Sequence, residues 1–212
     1  TIKSKFIHQK PYALFVSPSR IFGKKRTELG DILFVVKKYA GSTCISKSAM
    51  FVQAKWTGKS KNIKWEIQPH QYCFWNEIHN HKFTFGKAAL KASGIYSPVE
   101  YQGGDSWRSA CRYLLLSKSD QEYWLPTLDQ VKFFVENCNY VIDPLHWGTV
   151  QMACGSAVSI ELLAWLNSKR FALDPELEGI VNLIYKYLGW ELDPPEEFDG
   201  YFLEDDYGFA VI

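Results

Sequence analysis

An acid, Asp31, and the triplet Gln53-Ala54-Lys55 stand on two apolar runs, Asp31-Ile-Leu-Phe-Val-Val36 and Ala49-Met-Phe-Val-Gln-Ala-Lys-Trp56. Both runs are rich in β-branched and aromatic residues and bounded by Gly, Ser and Lys, so they read as the strands of a β-hairpin joined by a short polar loop. Strand side chains alternate between faces, which turns Gln53 and Lys55 the same way and lets an acid at the edge of the neighbouring strand converge with them. One patch would then hold a carboxylate, an amide oxygen and an ammonium. Hard oxygen donors beside a positive charge suit polar chemistry on an anionic substrate.

The elements that must position this patch come from a chain of 212 residues, 47% of them hydrophobic. That is enough for one core, or for one core with a small appended lobe. No apolar stretch approaches the roughly 18 to 20 residues that span a bilayer, and the basic N-terminus lacks the apolar segment of a secretory signal. The expectation is a soluble cytoplasmic protein with no membrane partner. Cys44, Cys73, Cys111, Cys138 and Cys154 are widely spaced and form no Cys-x-x-Cys, so buried thiols are expected rather than disulfides or a zinc knuckle.

The net charge of +1 conceals a marked polarity. Residues 1–99 carry 17 Lys and Arg against 4 Asp and Glu, a balance of +13, and residues 100–212 carry 7 against 19, a balance of −12. Two of the four acids, Glu28 and Asp31, lie at the patch. A half so poor in acids would attract a polyanion and release counterions on binding it. The two halves could equally neutralise each other across an internal interface.

Along the chain, Lys10 to Val16 reads as a first strand, followed by a turn-rich basic loop from Ser17 to Thr27 that leads to Glu28 and Asp31. A lysine-rich connection, Lys59 to Lys64, follows the hairpin. Gln68 to Glu77 reads as a helix with Pro69 in its first turn and Tyr72 and Trp75 on one face. Cys111 to Ser117 adds a buried strand and completes an α/β layer. Beyond residue 127 the pattern is helical. Thr127-Leu-Asp-Gln130 has the form of a capping box opening a helix through Cys138. A second helix is expected over Gly155 to Asn167. A third runs from Asp174 as cap through Leu177, Ile180, Val181, Ile184 and Leu188 to Gly189. This divides the chain into an α/β core at 1–120, a helical subdomain at 121–190 and an acidic segment at 191–212, with no internal repeat.

The order of these elements resembles a known family. A strand opened by Glu28-Leu-Gly-Asp31, a second strand carrying Gln53-x-Lys55 and the following Gln68-x-x-x-Tyr72 are similar to the PD-(D/E)XK nuclease superfamily, in the QxK variant of Mrr-like enzymes with a RecB-like Q-xxx-Y element. The resemblance covers about residues 10–117. It implies a restriction-endonuclease-like mixed sheet flanked by helices, and a metal-dependent nuclease or endonuclease acting on DNA in preference to RNA, in restriction or phage defence. It also implies a helix ahead of the first strand. The ten residues before Pro11 are too few for one, so that helix would precede Thr1.

Phosphodiester hydrolysis calls for a divalent ion that polarises the phosphoryl oxygen and supplies hydroxide near neutral pH. By the resemblance, Mg²⁺ or Mn²⁺ would be held by the Asp31 carboxylate, by Gln53 through its amide oxygen or a bridging water, and by the Ala54 backbone carbonyl, since magnesium prefers oxygen ligands and keeps several waters. Lys55 would orient the attacking water or stabilise charge on the phosphate. Gln53 replaces the commoner acid, and Glu28 is the natural supplement, brought round by a turn at Leu29-Gly30. Gln68 and Tyr72 would hold the substrate phosphate or brace Lys55. Lys24, Lys25 and Arg26, with Lys59, Lys61 and Lys64, would rim the site from flanking loops and contact phosphates.

Other signals point less far. His79-Asn80-His81 lacks the spread of an HNH zinc-finger-like unit and is weak as a metal pair, whereas His70 falls inside the helix near the patch. Trp56, Trp65 and Trp75 offer rings for base stacking or for a core. No Gly-rich phosphate loop and no Gly-x-Ser-x-Gly elbow occurs, which leaves nucleotide-driven and serine-hydrolase chemistry without support. Two alternatives to the enzyme remain. One is a catalytically inactive nuclease-fold module that binds nucleic acid or a partner subunit, and the other is an interaction protein whose basic and acidic halves meet in a homo-oligomer.

Overall fold

The computed structural model describes residues 2–6, 12–16, 24–56, 64–77, 82–92, 94–96, 99–102, 104–116, 122–137, 139–142, 153–154 and 175–187. Strands β1 (Ile2–Phe6), β2 (Tyr12–Val16), β3 (Lys24–Glu28), β4 (Ile32–Ala40) and β5 (Thr43–Trp56) open the chain. The middle of the chain holds β6 (Trp65–Glu66), α1 (Pro69–Glu77), β7 (Phe83–Phe85), α2 (Lys87–Ala92) and α3 (Gly104–Ala110). Then come β8 (Cys111–Leu116), β9 (Glu122–Trp124), α4 (Leu128–Asn137), β10 (Val141–Ile142), β11 (Ala153–Cys154) and α5 (Pro175–Tyr187). The chain is a mixed α/β protein.

Its main sheet has the strand order β1-β4-β5-β8-β9-β11. The hairpin is antiparallel, with Ile32 opposite Val52 and Ala40 opposite Thr43, and β8 lies parallel to β5 with Tyr113 opposite Gln53. A parallel neighbour requires the chain to cross over a sheet face, and α1, α2 and α3 lie in that crossover. Alternation along the strands separates two apolar faces. Leu33, Val35, Ala49, Phe51, Cys111, Tyr113 and Leu115 belong to the large core, whereas Val36, Met50 and Val52 form a second cluster with Ile32, Phe34 and Leu114.

The helices cover the first of these faces. Phe74 and Trp75 of α1, Trp107 of α3, Val131 of α4 and Ile180 and Ile184 of α5 join the same core cluster. The expected helical subdomain thus contributes apolar side chains to the core shared with the sheet. A second sheet, β3-β2-β7, packs beside α1 through aromatic contacts: the Phe15 and Phe74 rings stand 5.1 Å apart, and Phe74 meets Phe83 edge-on at 5.3 Å. Such rings bury large apolar areas and lock their mutual tilt.

Several expectations are corrected. The polar stretch from 37 to 48 is not the loop of the hairpin: both strands continue through it to a two-residue turn at Gly41-Ser42, with an irregularity between Lys38 and Tyr39. Two of its lysines are answered by α5, where Lys47 Nζ lies 2.8 Å from Glu178 and Lys37 Nζ 5.9 Å from the Tyr185 ring centre. Likewise Lys24, Lys25, Arg26 and Thr27 lie on β3, not in a loop. Ile2–Phe6 is a strand paired antiparallel to β4. The helix expected over 155–167 and the segment 191–212 lie outside the described residues. No helix among the described residues is long and apolar enough to cross a membrane.

Helix starts follow the sequence closely. Pro175 opens α5, which buries Leu177, Ile180, Val181 and Ile184 at the expected spacing. At α4 the Thr127 backbone N–H donates to Gln130 Oε1 at 2.8 Å, and the Gln130 N–H donates to Thr127 Oγ1 at 3.1 Å. This reciprocal cap satisfies two N–H groups that the helix itself cannot. Thr127→Ala is expected to cost about 1 kcal/mol, read as a lower midpoint in urea unfolding.

Candidate functional site

The patch is built where the chain leaves one sheet for the other. β3 ends at Glu28, a bend occupies Leu29 to Asp31, and β4 begins at Ile32. Two contacts fix this bend. The Asp31 N–H donates to the Val52 carbonyl at 2.7 Å, and the Trp75 indole N–H donates to the Leu29 carbonyl at 3.0 Å. Gly30 lies so close beneath them that a Cβ would stand 3.0 Å from the Val52 oxygen and 3.6 Å from the Trp75 ring. The glycine is needed for close approach, and α1 is thereby tied to the turn that carries Asp31.

Asp31 comes to rest one step beyond the Ile32–Val52 pair, beside Gln53. Its Oδ2 accepts from the Ala54 N–H at 2.8 Å and from the Gln53 side-chain amide. Gln53 Oε1 accepts from the side-chain amide of Gln71 on α1, and Gln71 Oε1 accepts from Lys55 Nζ at 3.3 Å. The result is one hydrogen-bonded chain: Lys55, Gln71, Gln53, Asp31. Both glutamines are buried, at 3% and 2% exposure, and buried amides left without partners would be costly. Tyr113, fully buried opposite Gln53 and 5.0 Å from Trp75 ring to ring, walls the site on the core side.

Electrostatics follow from this burial. Desolvation pushes the Lys55 ammonium below the usual lysine pKa, while the carboxylates of Asp31 and Glu28 pull it back upward. Glu28 is half-buried at the end of β3 and adds the smaller part of that upward pull. Hydrogen bonds bring Asp31, Gln53 and Ala54 together and, through Gln71, Lys55 with them.

The remaining candidates are distributed differently. Gln68 is exposed and sits just ahead of α1, where its carbonyl accepts from the N–H groups of Gln71 and Tyr72. Tyr72 is buried, with its ring 6.0 Å from Tyr140 and edge-on to it. Arg26 is exposed on β3, its guanidinium 3.4 Å above the Tyr12 ring. Lys64 is exposed, and Lys59, Lys61, His79 and His81 lie outside the described residues. Trp65 and Trp75 are wholly buried and unavailable to bases, whereas Trp56 is 38% exposed.

Gln71 is the site residue that the sequence pattern did not single out. It lies one helical turn before Trp75, and residues four apart share a helix face. The anchoring of Trp75 over Leu29 and Gly30 therefore places Gln71 over Gln53. Helix α1 is held beside Trp75 as well, by Arg108 of α3, whose Nη2 donates to Asn76 at 3.3 Å and to Asp129 of α4 at 2.5 Å.

Comparison with known proteins gives no family. No protein-family model, curated protein or solved structure matches the chain.

A divalent cation can be tested against the donors present. Among the described residues no group of three or more His, Cys, Asp or Glu is placed to hold a metal. The available set is the Asp31 carboxylate, the Gln53 amide and the Ala54 carbonyl, which faces the Asp31 side because the N–H and C=O of one strand residue point the same way. All are hard oxygens of the kind magnesium accepts. Gln53 meets the need only if its amide is turned over, since it is the NH₂ end that faces Asp31. The two ends of an amide are nearly equal in size, so the exchange requires no extra room, but it sets the Gln53 NH₂ against that of Gln71, which must turn as well. With that turn, the donor chemistry fits one weakly held hard cation.

Two predictions follow from the packing. Gly30→Ala is expected to destabilise the fold by about 1 to 3 kcal/mol through overpacking against Val52. Gly179→Ala, at an open position inside α5, is expected to stabilise it by about 0.5 to 1 kcal/mol. Equal urea midpoints for the two variants would contradict the close approach at Gly30. The second concerns Cys73 of α1, whose thiol burial pushes from 9.0 up to about 11, with Glu77 adding to the shift and a hydrogen bond to Tyr140 opposing it. A group raised on folding gives stability that is complete below its unfolded value and lost as pH climbs through the folded one. Stability under reducing conditions should accordingly fall from pH 9 toward 11, with a shallower slope in Cys73→Ala. An unchanged slope in that variant would count against it.

Proposed function

We propose that the protein is a metal-dependent nuclease that hydrolyses DNA phosphodiester bonds, with a restriction-endonuclease-like core. The observation that carries this reading is the convergence of Asp31, Gln53 and Lys55 at one end of the β4–β5 hairpin. The mixed sheet supports it, since a helical crossover returns the chain to the parallel strand β8 beside Gln53. Strand β3, with the basic sequence Lys24-Lys25-Arg26, runs directly into Glu28, which suits an anionic substrate.

In this reading Asp31, Gln53 and the Ala54 carbonyl would hold Mg²⁺ or Mn²⁺, which when bound polarises the phosphoryl oxygen and activates water. Lys55 lies two residues from Gln53 on the same strand face and offers an ammonium to the phosphate or to the attacking water. Glu28 and Asp31 favour the charged form of Lys55 against its burial. Trp75 and Gly30 hold the turn, so the carboxylate does not drift from Gln53. Arg26 and Lys64, both exposed, would contact backbone phosphates, and such contacts make affinity fall with salt. A role in restriction or phage defence belongs to the same proposal by analogy of fold alone.

One observation favours a second reading, a nuclease-fold module that binds nucleic acid or a partner without cutting. The Asp31 carboxylate is already satisfied by two N–H donors, from Gln53 and Ala54. Incubation of purified protein with plasmid DNA and Mg²⁺ or Mn²⁺ decides between the two. The nuclease reading expects cleavage that falls by about 10² to 10³ in both Asp31→Ala and Lys55→Ala. Retention of DNA at low salt without cleavage selects the module, and cleavage unaffected by either substitution removes this site from the reaction.

A further inference from the structure

The chain of hydrogen bonds from Lys55 to Asp31 has a direction. An ammonium can only donate and a carboxylate can only accept, so the two ends dictate how both intervening amides point. Gln71 turns its oxygen to Lys55 and its NH₂ to Gln53; Gln53 turns its oxygen to Gln71 and its NH₂ to Asp31. The two dipoles run head to tail between a positive and a negative charge, each reinforcing the other. Neither amide can reverse alone. If Gln53 turned its oxygen to the Asp31 side, its NH₂ would meet the NH₂ of Gln71, and that clash of donors is relieved only when Gln71 reverses too. Reversal of Gln71 then presents an NH₂ to the Lys55 ammonium and withdraws its acceptor.

We infer that Gln71 is a positioning residue that couples the two ends of the site, so that a divalent cation taken up at Asp31 and Gln53 releases Lys55 toward an anionic phosphate. The inference rests on the nuclease reading above and adds a regulation of that same site. Two arrangements are self-consistent. In one, both amides point as observed and Lys55 is held by Gln71. In the other, a cation accepts the Gln53 oxygen beside Asp31, both amides are reversed, and Lys55 needs a new acceptor, which a phosphate oxygen provides. Cation and phosphate therefore favour the same arrangement, and linkage makes the effect reciprocal. Burial of both glutamines excludes the easy alternative of an amide turning out to water.

The test is binding without turnover. Thymidine 3′,5′-bisphosphate, which has no phosphodiester to cleave, is titrated with and without Mg²⁺ into the wild-type protein and into Gln71→Met. The wild type is expected to bind the nucleotide more tightly with Mg²⁺ by a factor within the 5- to 150-fold of ordinary coupling. In Gln71→Met, where no opposing NH₂ resists the turn of Gln53 and Lys55 is no longer held, that factor should shrink at least about 5-fold because each component alone binds more tightly. A merely structural role for Gln71 would weaken both arms and leave the ratio as it was, which overturns the inference. Should the substitution unfold the protein, the wild type still decides. Mg²⁺ should shift the side-chain amide resonances of Gln71 as well as those of Gln53, and a Gln71 signal that stands still overturns the coupling. If Mg²⁺ does not bind, or binds equally well to Asp31→Asn, the nuclease reading fails with it. If Mg²⁺ requires Asp31 and the ratio survives in Gln71→Met, only the coupling fails.

Discussion

A half-buried positive charge and a half-buried negative one are joined at this site by two neutral amides, and the local structure depends on that connection. Lys55 lies on the same strand face as Gln53, the face that the helices cover, and its partial burial makes a partner supplied by the protein favourable to its ammonium. Gln71 is that partner. Because Gln71 belongs to α1, the electrostatic requirement of a strand residue becomes a requirement on where a helix must sit.

Three separate contacts meet that requirement, made by three consecutive residues that leave different sides of the last turn of α1. Trp75 ties the helix to the Leu29 carbonyl, Phe74 packs it between the rings of Phe15, Phe83 and Trp107, and Asn76 is bonded to Arg108. The aromatic contacts bury most area and set the depth of the helix; the Trp75 bond sets its rotation, since an indole N–H has one direction. Rotation is what Gln71 depends on. The ion pair of Arg108 with Asp129 is largely exposed on the acid's side and adds little by itself.

Much of this was legible in the sequence, and the failures have physical causes. The hairpin, the β8 strand, the capping box at Thr127 and the apolar spacing of α5 follow from alternation and cap chemistry that act locally. The distal hairpin, residues 37 to 48, reads as a loop because its lysines and serines look solvated. There, a tertiary partner overrides local polarity: Lys37 and Lys47 face α5, which carries Glu178 and Tyr185. That pairing also answers part of the charge polarity between the two halves from within the fold. Gln71 escaped notice for a different reason. A motif that spaces Gln and Tyr four apart selects Gln68, which lies before the first helical residue and remains exposed, whereas the helical interval from the anchored Trp75 selects Gln71.

The same connection explains why an amide at position 53 is compatible with this core where an acid would conflict with it. A glutamate there would set a second carboxylate against Asp31, and two like charges so placed, with limited access to water, cannot both remain ionised without a cation between them. Gln53 avoids that repulsion by presenting its NH₂ to Asp31 and its oxygen to Gln71 at once. The fold is then complete whether or not a cation is present. What the substitution gives up is the fixed second charge that would hold a metal tightly. In the proposed site, stability without metal and affinity for metal would therefore be opposed at one side chain, and Glu28, whose charge acts on Lys55 from the end of β3, would be the acid to shift that balance toward a cation.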